Sequence, residues 1–340
     1  MMKQRNVAYD LMKGIALILM MYDHLVKTPD GVHQFIYSFH MPLFFILAGV
    51  FAKNIEDIPS FRDFTRKNAK RLLLPYVVTM LMLCAWGIIL AIAKHHVGFF
   101  LKQFFTMLTA TIDGYESPWG LIYVGPLWFL VTLFWVRELF YGIQRTCMRM
   151  CRYKDELIVG ISIALSLVSV LIRPYLPALP FSFMPAFTAI AFYAIGWYVY
   201  NHPLPWLVYA LSVLVWPFAI LYGQVAIDEC RIAYYPLSFI GACGATYAIY
   251  LLCKGWSKVL SYISSLSIKH SSLNITSPLS WCGMYSLPIL CMHTFVLHAD
   301  IINSIMLRMP ANYECLWGGG ITVLFAYIIM KLPILKDVYK

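Results

Sequence analysis

Apolar residues run through this chain in long blocks separated by short polar stretches, and the blocks have the length of membrane spans. Ten of them cover residues 8–26, 33–52, 72–93, 121–141, 156–172, 183–200, 205–223, 232–253, 281–298 and 316–330. A helix needs roughly 20 predominantly apolar residues to cross a bilayer, and a backbone in lipid must satisfy its own hydrogen bonds. The pattern predicts an all-α fold: a polytopic membrane bundle of about ten helices. Residues 1–340 are expected to form one domain, with no appended soluble domain. The first block is interrupted by charges and lacks a small-residue cleavage site, so it is expected to stay as a span.

The polar stretches fix an orientation. Eighteen Lys and Arg residues fall on one side of the ten spans, including six from Lys53 to Arg71 and four from Arg145 to Lys154; six fall on the other. By the positive-inside rule both termini are cytoplasmic. One segment disturbs the count. Residues 95–112, HHVGFFLKQFFTMLTATI, are apolar but broken by Lys102 and Gln103, and are expected to form an interfacial or re-entrant helix on the outer side. Four prolines (Pro174, Pro177, Pro180, Pro185) mark an outer loop, and Ser257 to Ser280 reads as a cytoplasmic connector.

Composition agrees. The chain is 61% hydrophobic and 12% charged, against about 25% charged in soluble domains. Its net charge of +10 sits in alternate loops, which suits a membrane surface and not nucleic acid. Most of the nine cysteines lie within spans and read as small apolar residues. Cys230 and Cys315 fall in outer loops, where a disulfide is open. No spacing suits a metal site.

Against this apolar background the ionisable residues of the first span stand out, because charge inside a membrane is costly and usually functional. Residues 8–26 contain Asp10, Lys13, Asp23 and His24. Eleven helical steps bring His24 to within about 20° of Lys13, and about 16 Å along the axis. Asp10, one turn from Lys13, is a natural partner for its ammonium. Such a face is expected to look into the bundle. Further on, Ser60 and Asp63 open a helix in the manner of a capping box. Arg66, Lys67, Lys70 and Arg71 then form a basic face. It reads either as contact with anionic lipid or as a seat for phosphates. Arg137 and Glu138 are expected to snorkel to the inner interface.

These residues also carry a resemblance. Lys13-Gly14 followed by His24 resembles the first helix of the membrane acyltransferase-3 family. The usual form there has Arg before the Gly and Gly before the His; this chain has Lys13 and Asp23 in those places. The Lys variant resembles the fucose-4-O-acetylase-like and polysaccharide O-acetyltransferase branch. Phe39-His40-Met41-Pro42-Leu43-Phe44-Phe45 with Gly49 continues it. Lys70 to Tyr76, Pro126 to Leu130, Gly196-Trp197-Tyr198, and Gly283 through Ser286-Leu287 to His293 follow. The likeness spans nearly the whole chain.

It implies an integral-membrane O-acyltransferase of the bacterial inner membrane. The donor would be acetyl-CoA on the cytoplasmic side, with no metal, and the acceptor a surface carbohydrate or lipid-linked glycan. Self-association is compatible with this. His24 and His40 are the expected catalytic residues, since a histidine is the natural base for a sugar hydroxyl. Lys13, Arg66, Lys67, Lys70 and Arg71 are expected on the donor; Asp10, Trp128 and His293 on the substrate. Packing is the competing reading for His40, His293 and Trp128. A transporter or flippase of the same glycolipids is the competing function. Acyl-CoA hydrolysis dependent on His24 separates the two.

Overall fold

Each of the ten apolar blocks contains a helix. The computed structural model describes residues 6–26, 28–58, 60–93, 125–148, 154–176, 181–266, 277–298 and 311–339. In chain order the helices are α1 (Val7–Leu25), α2 (Asp30–Tyr37), α3 (His40–Val50), α4 (Phe61–Asn68), α5 (Leu74–Ala93), α6 (Trp128–Cys147), α7 (Lys154–Ile172), α8 (Phe183–Asn201) and α9 (Trp206–Tyr222). After a two-stranded hairpin, β1 (Gln224–Ala226) and β2 (Arg231–Ala233), come α10 (Tyr235–Leu266), α11 (Pro278–Met284), α12 (Ser286–His298), α13 (Ala311–Lys331) and α14 (Pro333–Val338). The interfacial helix expected over 95–112 lies outside the described residues.

Among the described residues, six helical segments are long and apolar enough to cross a membrane: 30–50, 61–86, 125–147, 154–175, 183–201 and 235–262. The protein is thus an all-α membrane bundle, and its chain passes through the membrane several times. Of the remaining expected spans, α1 is interrupted by Asp10, Lys13 and Asp23, and α9 and α13 have shorter apolar stretches. The block at 281–298 is not one straight helix. α11 and α12 meet at Tyr285 with an 87° bend, and together they would make a seventh span. Nothing in the hydropathy marks that break, which leaves a helix start in the interior.

α1 lies in the middle of the bundle. Asn6 caps it, its side chain accepting from the Ala8 amide. Leu11, Met12, Ala16, Leu17 and Met20 are buried around most of its circumference, as its contacts with α3, α10, α11, α12 and α13 require. Two glycines make the closest of these approaches possible. A Cβ on Gly14 would overlap the Leu279 carbonyl of α11, and one on Gly283 would overlap the Asp10 carbonyl of α1. The same reciprocal device joins α3 to α8, where Gly49 faces the Tyr193 carbonyl and Gly196 the Ile46 carbonyl. Small residues that let backbones touch are the usual means of holding helices together in lipid, which offers little hydrophobic driving force between them.

α4 runs into α5 through a π-helical turn, Ala69–Leu73, instead of continuing as a regular helix. Ser60 stands at the N-cap of α4, but its side chain makes no capping bond. α4 is instead tied to α6. Thr65 Oγ1 and Asn68 Nδ2 donate to the two oxygens of Glu138 at 2.7 and 2.9 Å, and Arg137 donates to Asn68 Oδ1 at 3.0 Å. Arg137 and Glu138 were expected to snorkel; they knit two helices together inside the bundle.

Candidate active site

The two ends of α1 are polar and face one cavity of about 470 Å³. Lys13, Arg71 and Arg137 line one end. His24, Tyr37, His40 and Asp228 line the other. Between them lie Leu17, Met20, Phe44, Trp128 and Phe129. The cavity thus has a cationic end, an apolar waist and a histidine end.

At the cationic end, Lys13 Nζ lies 2.9 Å from Asp10 Oδ1, so its charge is already met. Asp10 is buried behind Lys13 and does not line the cavity. Arg71 and Arg137 are near enough to repel each other, and Glu138 is held by Thr65 and Asn68 instead of either guanidinium. Two guanidiniums left facing one cavity suit a bidentate anion such as a phosphate. Arg71 lies within the π-helical turn, a feature often found at functional sites. The basic segment read from the sequence is divided. All four are solvent-exposed, but Arg71 lines the open end of the cavity, whereas Arg66, Lys67 and Lys70 do not reach it.

At the histidine end three elements converge. α1 supplies His24. The break at Ser38–Phe39 starts α3 at His40 and places Pro42 in the first turn, where the ring is tolerated. α12 supplies His293, which is fully buried, its ring centroid 5.8 Å from that of His24. His293 stands behind His24 and does not line the cavity. His40 Nδ1 lies 2.9 Å from the Ile36 carbonyl oxygen. A carbonyl only accepts, so the neutral ring carries its proton on Nδ1 and leaves Nε2 as an acceptor.

Asp23, which takes the place of a family glycine, is occupied. It accepts from Thr28 Oγ1 at 2.6 Å and from His33 Nδ1 at 3.0 Å. His33 stacks on Tyr37, with centroids 4.1 Å apart, and Tyr37 meets His40 edge-on at 4.8 Å. The aromatic row thus leads from Asp23 to His40. At the waist, Trp128 and Phe129 start α6 after the 3₁₀ turn Gly125–Leu127, and both line the cavity.

Of the residues singled out by sequence, Lys13, His24, His40, Arg71 and Trp128 share this one cavity. Arg137, Tyr37, Asp228 and Tyr339 line it too. Arg137 had a signal, as a cation inside an apolar block. Tyr339 had none: it lies next to the end of the chain, yet its hydroxyl reaches Thr79 Oγ1 of α5 at 2.9 Å.

The family model for acyltransferase-3, described as an acyltransferase domain, matches residues 6–331. The chain belongs to the acyltransferase-3 family. That match runs from the N-cap of α1 to the last residue of α13, so the whole cavity except Tyr339 falls within the acyltransferase domain. No curated protein and no solved structure matches the chain.

Proposed function

We propose that this membrane acyltransferase moves acetyl from acetyl-CoA to a hydroxyl of a surface carbohydrate or lipid-linked glycan. The observation that carries the reading is the polarity of this cavity, with cations at one end and histidines at the other. Acetyl-CoA is anionic at its nucleotide end and reactive at the far end of a long neutral arm. Arg71 and Arg137, with Lys13 beside them, suit its phosphates; the apolar waist suits the arm; and the thioester would arrive at the histidines.

There the acceptor oxygen attacks the thioester carbonyl. His24 takes the hydroxyl proton as general base, while Nε2 of His40 accepts from the incoming hydroxyl and orients it. The new C–O bond forms, the C–S bond breaks, and the proton on His24 passes to the departing CoA thiolate. His293, packed against His24, holds the ring in place. With basic loops on the cytoplasmic side, donor phosphates stay inside and the acceptor enters from the other face of a bacterial inner membrane, so no acyl carrier need cross. An exchanged assignment, with His40 as base, is favoured by one observation: its tautomer is set by Ile36.

Proteoliposomes of known orientation test the whole reading. Acetyl-CoA is supplied only at the cytoplasmic face and the acceptor only at the other. Transfer is expected. Transfer only when both are on the cytoplasmic side overturns the across-membrane arrangement. No acetyl-CoA consumption under any arrangement overturns the reaction.

A further inference from the structure

The hairpin between α9 and α10 is unlike a surface loop. Hairpin turns normally sit in water. This one is sunk into the bundle: Val225, Ile227 and Ile232 are buried, Ile227 completely, and all three belong to the main apolar core. The strands pair in register from Gln224 opposite Ala233 to Ala226 opposite Arg231, which leaves Ile227 to Cys230 as the turn. The Cys230 amide closes it on the Ile227 carbonyl at 3.0 Å, and Cys230 takes φ 54° to do so. A side chain in that left-handed region is uncommon and tends to mark a constrained site. The result of the burial is that Asp228 lines the cavity alongside Tyr37, His40 and His24.

Among the described residues, the other carboxylates near that end are committed elsewhere. Asp23 is taken up by Thr28 and His33. Glu229 is turned outward and pairs with Arg231 at 2.7 Å. Among the described residues no cation is within ion-pairing distance of Asp228, whose carboxylate accepts from the Glu229 amide. A carboxylate has room for about four hydrogen bonds and can only accept. Lining the same cavity as the histidines and near Tyr37, it suits a ligand that offers hydroxyl donors, and it disfavours one that brings a second negative charge.

We propose that Asp228, carried into the cavity by the buried hairpin, recognises the acceptor by holding a hydroxyl next to the one acylated, and so restricts the enzyme to non-acidic sugars. This rests on the acyltransfer reading above. The arginines that line the cavity are at its other end, and among the described residues the cation acting on Asp228 is Arg231, which is already paired with Glu229, so a uronic or sialic acid would bring a second negative charge to Asp228.

The test uses the full chain in lipid nanodiscs with labelled acetyl-CoA. The acceptors are glycolipids extracted from cells lacking the gene, separated by anion exchange into neutral and acidic fractions. Wild type is expected to label the neutral fraction. Asp228→Asn keeps the bond to the Glu229 amide and removes the charge. It is expected to raise the KM for the neutral fraction about ten-fold, the usual scale for a hydrogen bond to a charged group, and to leave the KM for acetyl-CoA unchanged. Glu229→Gln, on the outer side of the same turn, should behave as wild type. An unchanged acceptor KM in Asp228→Asn, or wild-type labelling of the acidic fraction as readily as the neutral one, overturns the assignment. Wild type that labels neither fraction and consumes no acetyl-CoA overturns the acyltransfer reading itself, and the assignment with it.

Discussion

The guanidiniums of Arg71 and Arg137 face the same cavity from different helices, close enough to repel, while the nearest carboxylate, Glu138, is committed to Thr65 and Asn68. Like charges are held together at a cost unless an anion comes between them. An anionic ligand placed between them would offset that cost.

Removing either arginine should therefore weaken the donor. Arg71→Ala and Arg137→Ala are expected to raise the KM for acetyl-CoA by roughly 10- to 100-fold each, the scale of a charge-assisted bond, with kcat less affected. Lys67→Ala and Lys70→Ala, exposed outside the cavity, should change it by less than about three-fold. Steady-state kinetics against acetyl-CoA decide. Equal effects from all four would point to a diffuse surface field instead of a seat.

His24→Ala should abolish transfer, on the order of 100- to 10,000-fold in kcat, while the protein stays folded and still binds acetyl-CoA. Isotope-labelled acetyl transfer and donor binding are measured together. Wild-type acetylation by this variant would remove His24 from the mechanism. The same measurement on His40→Ala separates a base from an orienting acceptor, since loss of the latter should raise acceptor KM as well as lower kcat.

The crossing of α1 and α11 predicts a stability contrast among glycines. Gly14→Ala and Gly283→Ala place a methyl on a backbone carbonyl and should destabilise by about 1–3 kcal/mol, the cost of overpacking. Gly142→Ala, in α6 with nothing within 4 Å, should be neutral or stabilising by about 0.5 kcal/mol. Thermal unfolding in detergent reads both. A Gly14→Ala protein as stable as wild type would mean the helices are not that close.

Burial pushes the Asp228 carboxyl up to about 6, with Glu229 adding to the effect. If the ionised form holds the acceptor, acceptor KM should rise as pH falls through 6, and that dependence should vanish in Asp228→Asn. Stability moves the other way. A carboxyl whose folded value lies above its ordinary one contributes stability fully present below about pH 4 and lost as pH rises through 6. Asp228→Asn should thus be the more heat-stable protein at pH 7.5, by something on the order of 1 kcal/mol. A pH-independent acceptor KM in wild type would contradict the first half.

Residues 53–71 and 142–155 are expected on the cytoplasmic side. A cysteine introduced at Arg149 should resist an impermeant reagent in intact cells and react after lysis. Labelling in intact cells would exclude ten spans with both termini inside.

Hydropathy placed a helix in each of the ten apolar blocks, because a membrane chain writes its spans as apolar length; α4 showed only in its capping residues, and α14 in neither. Periodicity placed Lys13 and His24 on one face, since α1 is regular from end to end. What the two could not place depends on departures from regularity. The π-helical turn at Ala69–Leu73 interrupts the run from α4 into α5, and the bend at Tyr285 splits one apolar block into two helices; neither changes the composition. Arg137 looked like an interfacial cation because its partners, Asn68 and Tyr193, come from elsewhere in the chain. Asp228 lay in what reads as a polar turn, and only the burial of Ile227 beside it shows that the turn is inside.

Because Lys13 and His24 ride on one helix, and Gly14 fixes that helix against α11, their separation is a ruler of eleven residues, about 16 Å long. Its graduations are quantised. Its exposed side chains, such as Ile18, can be exchanged so long as the helix persists, but one residue added or removed between the two would swing His24 through about 100°, off the cavity and away from His293. The segment should therefore accept substitutions at its exposed positions over evolution and in the laboratory while never changing length, and a longer acyl donor would have to be accommodated by the waist, at Trp128 and Phe129, because the rod cannot be lengthened.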